Sequence, residues 1–182
     1  MDFRHAIWAV LREIIQTALI SLAIFLFVYV FVVQPHRVKG GSMLPNFTDG
    51  ELLLTEKISY YFSKPQRGDV LVFEAPNSQK VDFIKRIIGL PGESITIKDG
   101  SVFINDQKLT EDYLNSSTSG SVSIILSDDD YFVLGDNHNS SSDSRAFGPI
   151  KKNSFRGRSW LVYWPILKTD KSNGARFVSR TH

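Results

Sequence analysis

The 182-residue chain is 42% hydrophobic and 12% aromatic, enough for one packed domain plus an appendage. Its 21 basic and 19 acidic residues leave a formal charge of +2, which gives no sign of a nucleic-acid surface. The absence of cysteine excludes disulfides, thiolate nucleophiles and thiolate metal sites, and four scattered histidines offer little material for a metal centre.

Residues 14–33 form a run of twenty residues without a charge. As a helix this run would be about 30 Å long, the thickness of a bilayer's hydrocarbon core. It is long for the apolar region of a cleaved leader, and no Ala-x-Ala follows it, so it reads as a retained membrane anchor. Charge does not orient it: Arg4 and Arg12 precede it, and Arg37 and Lys39 follow.

Beyond Val38 short apolar runs alternate with turn residues, the texture of an all-β domain. Strands are expected at 51–55, 69–73, 81–88, 94–98, 101–105, 131–134 and 158–164. The hairpin 94–104 turns at Asp99-Gly100, a pair suited to the two positive-φ positions of a type I′ turn. Residues 115–123 are Ser-rich and read as a surface loop, and residues 168–182 as a loose polar tail. Tyr60-Tyr61-Phe62 suits either the core or a membrane interface.

Three segments carry groups capable of chemistry. In the segment 81–88, alternation puts Val81, Phe83, Lys85 and Ile87 on one face, with Arg86 opposite, solvated or paired. An ammonium among apolar neighbours is poorly solvated, which favours the neutral amine, a base. The strand pattern alone favours a blander outcome, in which the Lys85 stem snorkels past Phe83 and Ile87 to water. Ser42 lies in Gly40-Gly41-Ser42-Met43-Leu44-Pro45, where two glycines permit close backbone approach and local N–H groups could face an oxyanion, although such a turn is more often a linker. The segment from Gly135 to Arg145 is dense in amide, hydroxyl and carboxylate groups able to hold a buried amine. It includes His138, but no residue pattern makes this histidine a better base than a desolvated Lys85.

Together these segments resemble the bacterial type I signal peptidases, serine–lysine peptidases of family S26. The nucleophile box of that family is similar to Gly41-Ser42-Met43-Leu44-Pro45, and a second box to Arg67-Gly68-Asp69-Val70-Leu71-Val72-Phe73. The lysine box resembles residues 82–93, and the last box Gly135-Asp136-Asn137 with Ser141, Asp143, Ser144 and Arg145. The compact length and single anchor are similar to the Gram-positive branch. Three positions depart from the family pattern: Asn46 replaces a usual threonine, and His138 replaces an arginine or lysine with little expected consequence. Gly40 stands where some members have an oxyanion-hole serine, so the hole would rest on the Ser42 N–H.

The resemblance implies a mainly β fold of antiparallel sheets behind one N-terminal transmembrane helix. It divides the chain into a cytoplasmic segment 1–13, an anchor 14–33, an extracytoplasmic catalytic domain 34–167 and the tail 168–182. It implies a membrane-bound endopeptidase that removes signal peptides from exported preproteins after Ala-x-Ala-like sites. Neutral Lys85 would activate Ser42, and an acyl-enzyme would form. Ser141 would hydrogen-bond Lys85, Asp143 and Arg145 would form a structural pair, and Asp136 would support their loop. Val38, Gly40, Met43, Phe47, Phe83 and Ile84 match pocket positions, and residues 82–84, beginning at Asp82, would offer an edge to the substrate. The partners implied are signal peptides, the lipid bilayer and the secretion translocon, with no nucleic acid, cofactor or metal. Two rival readings are an inactive anchored binding protein, disfavoured by the joint presence of Ser42 and Lys85, and a self-cleaving repressor-type protease, disfavoured by the anchor.

Overall fold

The N-terminal helix α1 spans Phe3–Phe27 and continues through one wider turn, Val28–Val32, before opening directly into strand β1, Val33–Arg37. This computed structural model describes residues 3–76, 81–111, 114, 117–169 and 172–180. The helix starts before the uncharged run does. Its apolar stretch Ile7–Val32 is long enough to cross a membrane and is not buried against the described residues, touching the β domain only at its C-terminal end, where Lys57 meets the Val30 and Val32 carbonyls. β1 was not among the expected strands, because Pro35 argues against one. It is accommodated because β1 lies at the end of its sheet and pairs only with β2.

The remaining strands are β2 (Leu52–Glu56), β3 (Val70–Glu74), β4 (Asp82–Gly89), β5 (Ser94–Lys98), β6 (Ser101–Ile104), β7 (Gln107–Lys108), β8 (Val122–Ile125), β9 (Asp130–Leu134), β10 (Ile150–Lys151), β11 (Phe155–Trp164) and β12 (Arg176–Phe177). Short helices α2 (Ser59–Phe62) and α3 (Ser144–Phe147) interrupt them. The larger sheet runs β1-β2-β11-β3-β4-β9-β10, with β12 added to β11; the smaller runs β7-β6-β5-β8. All pairings are antiparallel.

Val70 to Phe73 are all buried, and the pleat explains why. Val70 and Val72 face a cluster with Val38, Met43, Phe47, Leu53 and Val162.

 Leu71 and Phe73 point the other way, into a cluster with Ile87, Tyr131, Val133 and Ile150. A third cluster, built from Ile88, Ile95, Ile97, Val102, Leu126 and Phe132, joins the two sheets.

The expected hairpin forms, with φ of 50° at Asp99 and 73° at Gly100. A second turn of the same kind follows at Asn105 (48°) and Asp106 (65°), where the strand had been expected to run on to Asn105. Asn and Asp tolerate this left-handed region better than other non-glycine residues.

Two expectations need correction. Part of the Ser-rich loop is strand β8, whose Ser123 lies opposite Thr96, and Thr118 is buried; Asn115 and Ser116 lie outside the described residues. The polar tail is not loose where it is described. β12 pairs with β11, Arg176 forms an ion pair with the buried Glu51, and Arg180 pairs with the buried Asp69. A tail short of apolar residues is held here by ion pairs to buried carboxylates, helped by Val178 against the core and Phe177 against Trp160.

Candidate active site

Ser42 sits in the loop between β1 and β2, and Lys85 sits on β4. Their side chains meet, with Lys85 Nζ 2.6 Å from Ser42 Oγ. Lys85 is only 4% exposed, and its ammonium position lies 5.5 Å from the centre of the Phe83 ring. Burial pulls its pKa down to about 8, although Asp143 and Asp136 pull the other way. A substantial neutral fraction is therefore present near physiological pH.

The expected face of β4 is only half of what the structure shows. Phe83 and Ile87 do share the Lys85 side, but Val81 precedes the strand and is exposed. Arg86, read as solvated or paired, is buried and paired: it donates to both oxygens of Asp136 at 2.8 and 2.7 Å and to the Gly68 carbonyl at 2.9 Å. Both faces of this strand are covered, so alternation does not separate buried from wet.

Asp136 thereby ties β4 to the loop after β9, and it also accepts a hydrogen bond from Asn46 Nδ2 at 2.9 Å. The substitution of asparagine at position 46 thus supplies a link between the nucleophile loop and Asp136. Asn137 adds two more links, from its N–H to the Ser42 carbonyl and from Nδ2 to the Gly41 carbonyl, each 3.0 Å. Gly135 permits this approach: a Cβ there would lie 2.3 Å from both the Ser42 carbonyl oxygen and Ser141 Oγ. Asn137 had no assigned role in the sequence reading, although it belongs to the segment singled out.

Asp143 and Arg145 form a two-pronged pair at 2.8 Å. Burial pushes the Asp143 carboxyl up, but the bonds from Arg145 and the Gly135 N–H, with the Ser141 hydroxyl nearby, outweigh it and hold the carboxyl below its ordinary value. The expected bond from Ser141 to Lys85 is not formed. Ser141 Oγ is buried and meets no partner in full hydrogen-bond geometry, lying near enough to Asp143 only to help depress its pKa.

His138 is also more than a neutral replacement. It is 1% exposed, with Nδ1 2.6 Å from Thr118 Oγ1 and Nε2 3.7 Å from Glu111. Burial, with Arg145 nearby, lowers its pKa to about 4. It holds the loop from within and makes no bond to Ser42.

A groove of about 460 Å³ leads to the Ser42–Lys85 contact. Val38, Asp82, Phe83 and Ile84, named above as matching substrate positions, line it together with Leu53, Val72 and Ser142. Met43 and Phe47 lie in the core beneath it, and Gly40 lies outside it with its N–H donated to Asp49 Oδ1 at 2.8 Å. The stretch of β4 from Asp82 to Lys85 pairs with β3 on one side only, because β9 joins no earlier than Arg86. The free edge of β1 faces the same groove, with His36 3.8 Å from Asp82. The peptide N–H of Ser42 meets no acceptor among the described residues. No group of three His, Cys, Asp or Glu side chains among the described residues is placed to hold a metal ion.

The profile of the family described as signal peptidase, peptidase S26, matches residues 11–164. A signal peptidase I of Leptolyngbya laminosa is 37% identical over 86% of this chain and 81% of its own length. Signal peptidase I of Bacillus licheniformis is 35% identical over 88% of this chain and 94% of its own. The probable signal peptidase I-1 of Synechocystis is 31% identical over 94% and 91%. The likeness thus extends to cyanobacterial as well as Gram-positive relatives. The chain belongs to the signal peptidase family, peptidase S26, and is a serine peptidase that removes signal peptides.

Proposed function

We propose that this signal peptidase cleaves with Ser42 as nucleophile and neutral Lys85 as general base. The observation that carries the reading is the 2.6 Å approach of a buried amine, its pKa lowered to about 8, to the Ser42 hydroxyl. Lys85 takes the hydroxyl proton as Oγ attacks the scissile carbonyl, and the Ser42 N–H stabilises the resulting oxyanion. Collapse expels the new amino terminus, which receives its proton from Lys85 and leaves an acyl-enzyme. The neutral amine then deprotonates a water that hydrolyses the ester.

The substrate enters as a strand between the free edges of β1 and β4, which run in the same direction. Alternate side chains then point into an apolar groove walled by Val38, Leu53, Phe83 and Ile84, where small residues at −1 and −3, as in Ala-x-Ala, fit best. The Ile7–Val32 helix spans the cell membrane once, with the β domain on the outer face, where preproteins arrive from the secretion translocon. Sharing a bilayer with an anchored substrate raises the effective concentration of each for the other.

The test is preprotein cleavage by the full chain, compared with Ser42→Ala and Lys85→Met. Each variant should lose about 10³-fold or more in rate while keeping its thermal melt. Cleavage at the full rate by either would refute the pair.

A further inference from the structure

We propose that a recess beside the anchor's exit binds the phosphate of an anionic phospholipid headgroup. This inference rests on the reading that Ile7–Val32 spans a bilayer. The recess encloses about 820 Å³, and Val30, Gln34, Lys57, Tyr60, Lys152 and Arg156 are among its walls. Val30 belongs to the last turn of the apolar segment, and Gln34 is the first polar residue after it. The recess therefore lies at the depth where hydrocarbon gives way to headgroups.

Lys57 is set at that depth by the backbone. The Lys57 N–H donates to the Val32 carbonyl at 2.9 Å, and its Nζ donates to the Val30 carbonyl at 3.0 Å. An ammonium has three protons, so two of those on Lys57 are left to meet a ligand. The exposed Lys152 ammonium has no hydrogen-bond or ion-pair partner among the described residues. Asp82 also lines the recess, but Arg156 is committed to it and to Glu74, so the positive charge of Lys57 and Lys152 is what an anion would find. Tyr61, at the wall of the recess, and its neighbour Phe62 are 83% and 86% exposed, as aromatic side chains placed at a lipid interface would be. Charge complementarity and continuity with the anchor together select a phospholipid over a soluble anion.

The experiment places the full chain in nanodiscs of equal parts phosphatidylcholine and phosphatidylglycerol, then counts lipids retained per chain by native mass spectrometry. Phosphatidylglycerol should be enriched over phosphatidylcholine, and inorganic phosphate should not displace it. The Lys57→Gln, Lys152→Gln double variant should lose on the order of tenfold in enrichment. The Lys64→Gln, Lys168→Gln variant, which removes the same charge outside the recess, should keep it. Lys152→Gln alone, which breaks no side-chain hydrogen bond or ion pair among the described residues, should also lower it. Equal retention of the two lipids, an unchanged Lys152→Gln variant, or an equal loss in the control would overturn the site. Displacement by phosphate would replace it with a soluble-anion site. Failure of the chain to enter discs would remove the membrane reading as well.

Discussion

Lys85 and Arg86 are consecutive on β4, both buried, and treated in opposite ways. Arg86 is given a carboxylate with matched geometry and a backbone carbonyl; Lys85 is given a hydroxyl and an aromatic ring. A guanidinium cannot give up its proton, so its burial requires a full partner. An ammonium can, and without an ion-pair partner its charge is what yields. Burial alone therefore does not mark a base; burial without a matched anion does.

Stability tests this contrast most strongly. Arg86→Met leaves Asp136 buried without its cation and should cost about 3–5 kcal/mol in denaturant unfolding. Lys85→Met leaves no such carboxylate and should cost less than about 1 kcal/mol at neutral pH. Equal losses would break the comparison. Gly135→Ala should lower kcat/KM about 100-fold with the fold kept, because the added Cβ must displace the Ser42 carbonyl or Ser141.

The pH dependence sharpens the same contrast. kcat/KM should rise through about pH 8, as Lys85 becomes neutral; a profile still climbing above about pH 10 would count against a depressed amine. Because the folded pKa is below the unfolded one, the unfolded chain binds the extra proton between them. Stability should then rise with pH from about 8 towards 10.5, a rise that Lys85→Met should lack. The smallest effect is expected at Arg176, which donates to the Asn46 carbonyl and to Glu51 behind the nucleophile loop. Arg176→Ala should reduce kcat roughly tenfold through misplacement of Ser42, measured on the same preprotein with KM little changed.

Much of this was legible along the chain. The anchor was visible because twenty uncharged residues have few alternatives in water, and the Asp99-Gly100 hairpin because its turn chemistry is local. β1 was hidden by Pro35, which only an edge position makes acceptable. The fixed C-terminal segment was hidden because its partners, Glu51 and Asp69, are more than a hundred residues away.

By itself the sequence determined the anchor, the β texture, and the residues Ser42 and Lys85 with a polar loop to accompany them. Only the tertiary structure decided that those two side chains meet across 43 residues, that Arg86 is sealed against Asp136 rather than wet, and that Ser141 makes no bond to Lys85. Periodicity and turn residues are written locally, whereas these contacts depend on sheet register and on how closely two loops can pass at Gly135.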